Sequence, residues 1–163
     1  IGLRSTGAAT IERMIDAMRA RPDAIWTLAE PITGDEEFRR PSAVKVVLAD
    51  DGRALYFSRA PIPFCRDGGG RPAPGSPVRP LRHVGVYGFP RELLEAFLAA
   101  PRGRLEEVEG LEQLRALEAG ISIRVLVGAW PDAGIDTPED LERILRRYPT
   151  AQGLEEADRT GAF

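Results

Sequence analysis

The chain has 163 residues, 43% hydrophobic and 29% charged, with a formal net charge of -3, an ordinary globular composition with room for one sizeable core. It has no apolar run of about 20 residues to make a membrane span and no block of like charge to make a nucleic-acid tail. A single cysteine, Cys65, and a single histidine, His83, exclude a disulfide scaffold or a Cys/His zinc cluster within the chain and fit a reducing, cytoplasmic setting. The basic residues are all Arg except Lys45, a skew that fits a GC-rich gene and carries no functional weight.

In chain order, Ile11, Met14, Ile15 and Met18 recur at i, i+3, i+4 and i+7 and predict an amphipathic helix. Arg21-Pro22 breaks it, and Ala24 to Ala29 reads as a short strand ended by Pro31. Asp35-Glu36-Glu37 reads as a surface loop. The β-branched run from Ala43 to Ala49, the turn Asp50-Asp51-Gly52 and the run Ala54 to Ser58 predict a hairpin. Residues 61 to 80 hold six of the fourteen prolines and the triple glycine Gly68 to Gly70, so a long exposed loop is expected. The triple glycine lacks the Lys-Ser/Thr and the strand-to-helix setting of a phosphate loop.

Arg82 to Phe89 reads as a strand, and Pro90 as the first position of a helix running to Leu98. Val108, Leu111, Leu114 and Leu117 predict one helix from Leu105 to Ala119 that passes through Gly110 and stops at Gly120. Ile121 to Val127 reads as a strand. Thr137 caps a last helix with Pro138 at its first position and Leu141, Ile144, Leu145 and Tyr148 on its apolar face. From Pro149 to Phe163 the periodicity ends and a loose tail is expected. Helices alternating with strands around one hairpin predict an α/β fold with a mixed sheet.

Among groups able to carry chemistry, His83 and Tyr87 lie four apart on a strand and share a face, with Val84 and Val86 opposite and Gly85 leaving room for a ligand. The alternative for His83 is a core histidine satisfied by a neighbouring carbonyl. Glu112 and Gln113 lie beside the Leu111/Leu114 stripe, so at least one of them flanks the buried edge of their helix, or they form part of its solvated face. Asp136 precedes a residue that can itself cap the helix, just outside the carboxyl end of a strand, where α/β sheets bind ligands. It is a candidate Mg²⁺ ligand, or an ordinary loop aspartate or alternative cap.

Five strings resemble one family in order and spacing: Phe38 with Pro41 to Leu48, Gly52 to Pro63, Arg82 to Phe89, Leu111 to Arg115, and Gly134 to Leu141. They are similar to the 3-deoxy-manno-octulosonate cytidylyltransferases, or CMP-Kdo synthetases, over residues 1 to 148. The resemblance implies a Rossmann-like nucleotidyltransferase fold, a homodimer, and transfer of CMP from CTP to Kdo with Mg²⁺, releasing pyrophosphate on the way to lipopolysaccharide. It implies that His83, Tyr87, Glu112 and Gln113 line the Kdo pocket, that Arg59 meets the sugar carboxylate, and that Asp136 binds the metal. The family's phosphate loop and its other metal-binding aspartate have no counterpart here, and the chain opens Ile1-Gly2-Leu3 without Met. The expectation is therefore residues 1 to 148 as the carboxyl-terminal part of one cytidylyltransferase domain, the N-terminal nucleotide-binding part missing, and inactive alone. The competing readings are a cytidylyltransferase for a related acidic sugar of the sialic-acid type, and a non-catalytic sugar-binding or dimerisation module.

Overall fold

Strands β1 (Ile25–Pro31), β2 (Lys45–Leu48), β3 (Ala54–Ser58), β4 (Leu81–Gly88) and β5 (Ile123–Val127) form one sheet in the order β3-β2-β4-β1-β5. β1 and β5 run parallel and every other pair is antiparallel, so the sheet is mixed as expected. This computed structural model describes residues 8–66, 70–73 and 75–130. Asp136, Gly68, Gly69, the helix expected at Thr137 and the tail from Pro149 lie outside the described residues. Residues Glu12–Ala129 form one compact unit, whose core joins Ile25 and Ala29 of β1, Val46, Phe57, Leu81, Ile123 and Val125 with Leu111 and Leu114.

The hairpin forms where Asp-Gly chemistry places it. Gly52 adopts φ 82°, the left-handed region open to glycine, and the Ala49 N–H donates to the Arg53 carbonyl at 2.8 Å. The turn then meets β5, at the far end of the strand order: the Val125 N–H donates to the Gly52 carbonyl at 3.1 Å and Arg53 bridges to Arg124. The hairpin thus forms one edge of the sheet while its turn reaches β5 at the other, so the sheet is strongly curled.

The structure corrects three expectations about the helices. The acidic stretch at Asp35 is the first turn of helix α2 (Asp35–Arg39), not a loop. Phe38 is buried in the interior, the three carboxylates sit at the helix N-terminus where its dipole favours negative charge, and Arg39 and Arg40 pair back to Asp35 and Glu36. The single helix expected from Leu105 to Ala119 is two, α4 (Arg104–Glu109) and α5 (Gln113–Glu118). Gly110 takes φ 64° and ends the first, so Val108 is exposed while Leu111 and Leu114 are buried. Pro90 stands just before α3 (Arg91–Ala99) as its cap, with its carbonyl accepting from the Leu94 N–H at 2.9 Å. In helix α1 (Ala8–Ala20) Met14 is buried, but Ile11 and Ile15 of the apolar face stay exposed. Among the described residues no helix is long and apolar enough to cross a membrane.

Glu106 of α4 is buried and charged. It accepts from Arg115 Nε at 2.8 Å and Nη2 at 2.6 Å and from the Gly103 N–H at 3.2 Å, a bidentate, charge-assisted arrangement. The Arg115 bonds hold the carboxyl below the usual carboxylate range, against the opposing effect of burial.

Two expectations follow. Gly52→Ala places a side chain at positive φ and should lower unfolding free energy by about 1 kcal/mol, read as a lower denaturant midpoint with unchanged slope. Because the folded carboxyl titrates below the unfolded one, the Glu106 contribution is complete above the ordinary carboxylate range and is lost as pH falls through the lower folded value. Glu106→Gln should therefore flatten the acid limb of the stability curve, and an unchanged limb would refute the assignment.

Candidate functional site

β1 and β4 pair along their length with one irregularity. Thr27 lies opposite Tyr87 and Leu28 opposite Val84, so Gly85 and Val86 are extra residues on β4. An insertion of two preserves side-chain parity. His83 and Tyr87 therefore share a face, their rings 5.4 Å apart, while Val84 is buried and Val86 half-buried. A Cβ at Gly85 would sit 3.7 Å from His83 Cε1, an ordinary contact.

The bulge is closed by Thr27. Its Oγ1 lies 2.8 Å from the Val86 carbonyl, 3.3 Å from that of Val84 and 2.9 Å from His83 Nε2. The hydroxyl has one proton and the closest carbonyl takes it, so the imidazole Nε2–H donates to Oγ1. The ring also stands edge-on to Phe57 of β3, centroids 5.0 Å apart. The buried-histidine alternative is thus half right: His83 is buried and held, but by a hydroxyl that a carbonyl orients. Thr27 was missed in the sequence, where the available signal was a hydroxyl inside the apolar run Ala24 to Ala29.

Gln113 opens α5 as a buried residue, and its Nε2 has no hydrogen-bond partner among the described residues. Glu112, immediately before it, is exposed. α5 packs against β3, the strand whose Phe57 touches His83.

Arg59, just after β3, points its guanidinium at main chain. Nε donates to the Glu109 carbonyl at 2.8 Å, Nη1 to that of Pro41 at 3.2 Å and Nη2 to that of Gly110 at 3.4 Å. It therefore grips the corner between α4 and α5, from which Glu112 and Gln113 follow. Lys45, unremarked in the sequence except as the lone lysine, is fully buried beside it. Asp136 lies outside the described residues, and among those described no three His, Cys, Asp or Glu side chains gather as a metal site.

The described residues form an α/β unit with a mixed sheet that carries His83 and Tyr87 on β4, Arg59 after β3 and Gln113 at the start of α5. Residues 7–123 match the family described as Cytidylyltransferase, and the chain belongs to that family. It is 46% identical over 134 residues to the 3-deoxy-manno-octulosonate cytidylyltransferase of Thermodesulfovibrio yellowstonii, covering 81% of this chain and 51% of that protein. With the enzyme of the same name from Anaeromyxobacter dehalogenans the identity is 50% over 133 residues, 82% of this chain and 52% of the relative. A solved structure of CMP:2-keto-3-deoxy-manno-octonic acid synthetase complexed with CTP superposes with a TM-score of 0.73 at 36% identity, over 86% of this chain and 56% of that one. The chain spans about half the length of the curated relatives it matches.

Thr27→Val should strand the buried Nε2–H of His83 and lower stability by about 1 to 3 kcal/mol, while Thr27→Ser keeps most of it. A valine variant as stable as the parent in chemical denaturation would overturn the proton assignment.

Proposed function

We propose that this chain carries the sugar-acid side of a cytidylyltransferase that joins CMP from CTP to Kdo and releases pyrophosphate. The observation that carries the reading is the Gln113 amide: a buried nitrogen with two N–H groups and no acceptor among the described residues. Leaving such donors unmet is costly, and a polyhydroxy acid offers oxygens to meet them. His83 and Tyr87 add an imidazole and a phenol on one face, close enough for both to contact one sugar. The names of the relatives support Kdo, and the CTP complex of the structural neighbour supports CTP.

The proposal extends to Mg²⁺, with Asp136 as one ligand, supplying positive charge as pyrophosphate leaves. It further includes a homodimer and a cytoplasmic step before lipopolysaccharide assembly. Glu112, exposed at the start of α5, would meet a sugar hydroxyl, and Arg59 would act beside the sugar carboxylate.

Kdo titrated calorimetrically into the chain should bind, with N-acetylneuraminate at least tenfold weaker. Gln113→Met should weaken Kdo by about tenfold, near 1.4 kcal/mol, while leaving thermal stability equal or higher, because the amide it removes has no protein partner. Equal affinity for both sugars, or an unaffected methionine variant, would refute the assignment.

A further inference from the structure

Lys45 is the first residue of β2, opposite Ser58 of β3 and Arg82 of β4, and none of it reaches solvent. An ammonium ion removed from water is costly unless acceptors surround it, and an apolar side chain would suit an interior strand better. What surrounds it are main-chain carbonyls outside any strand: Nζ donates to the Arg40 oxygen at 2.9 Å and the Arg59 oxygen at 2.5 Å. The first lies at the end of α2 and the second at the exit of β3. Burial lowers the lysine pKa, and the Glu109 carboxylate only partly opposes that lowering.

From Arg59 the network continues. Its N–H donates to Glu109 Oε2 at 3.0 Å, Ser58 Oγ donates to Glu109 Oε1 at 2.6 Å, and its guanidinium takes the Glu109, Gly110 and Pro41 carbonyls. Burial and then the Glu109 charge raise the Tyr56 phenol above its usual range, placing it in the same cluster. One buried cation thus sits at the junction of the end of α2, the exit of β3 and the end of α4. The chain leaves that junction through Gly110, whose positive φ provides no stiffness of its own, and reaches Gln113 three residues later.

We propose that Lys45 is a positioning residue for the sugar-acid site: through the Arg59 carbonyl and the Glu109 cluster it fixes the α4–α5 corner, and so sets where the Gln113 amide points. Arg59 serves the same end through its grip on the corner's main chain. The inference rests on the assignment of Gln113 to the Kdo side, and its two parts separate experimentally.

The test compares Lys45→Met, close in length and without charge or donors, with the parent chain by amide hydrogen exchange and by Kdo titration. Exchange at Leu111 to Leu114 should rise about tenfold or more while the β1 and β5 amides keep their protection, and the Kdo dissociation constant should rise about tenfold. A lysine that merely stabilises the fold would raise exchange by one common factor everywhere and leave Kdo affinity untouched in the folded variant; either result overturns the proposal. Should the methionine variant not fold, Arg59→Lys removes the guanidinium's carbonyl contacts while keeping the charge, and must show the same localised exchange. If the parent chain binds no Kdo, the functional assignment fails, while the exchange pattern still decides whether Lys45 holds the corner.

Discussion

The pairing of β4 with β1 is the constraint on which the rest of this sheet depends. β4 is the one strand in register with both the hairpin and the parallel pair, yet it meets β2 only through Leu81 and Arg82. Its longer contact with β1 must therefore absorb the irregularity at Gly85 and Val86, and a bulge leaves carbonyls without ladder partners. Thr27 answers this with one hydroxyl, and the same hydroxyl then has a lone pair left for the histidine. A local need for backbone satisfaction thereby fixes the orientation of an imidazole. The bulge and the histidine are one device.

A second pattern is that cationic groups near the candidate site are turned inward. Arg59 and Lys45 donate to carbonyls, and Arg115 spans Glu106 while its guanidinium carbon lies 5.0 Å from the Phe97 ring centroid. Charge-assisted bonds to main chain are among the stronger that a small unit can make, and they act where helices end and carbonyls would otherwise be unmet. The α4–α5 region needs them: both helices are six residues long, too short to persist by propensity alone. The corner carrying Glu112 and Gln113 is held by arginine and lysine more than by its own helical character.

How much of this was readable in the sequence follows from the range of each interaction. The hairpin at Gly52 was legible because turn chemistry is local. So was the shared face of His83 and Tyr87, although the bulge could have destroyed it: one inserted residue would have put them on opposite faces, and two restored the alternation. The break at Gly110 was not legible, because Val108 continues the spacing of Leu111 and Leu114 while standing 85% exposed. Hydrophobic period cannot reveal that a leucine-like position is left outside. α2 is too short to show a period, and its three acids conceal the one buried aromatic that defines it. Neither Lys45 nor Arg59 could be read at all in this respect, since their fates depend on carbonyls presented by segments up to about fifty residues away.

The contrast between Arg59 and Gln113 bears on the ligand proposed for this chain. Three guanidinium nitrogens of Arg59 already donate to carbonyls, so its capacity for an additional anion is reduced, and charge attraction at that point is partly spent on the fold. The Gln113 nitrogen is in the opposite state, buried with its donors unmatched by described protein groups. A site built this way gains little by binding any passing anion. On the proposed reading, it gains most from a molecule that places an oxygen against the amide, because only then is the desolvation of the amide repaid by a hydrogen bond. On the proposed sugar-acid reading, discrimination would rest on the position of hydroxyls rather than on net charge.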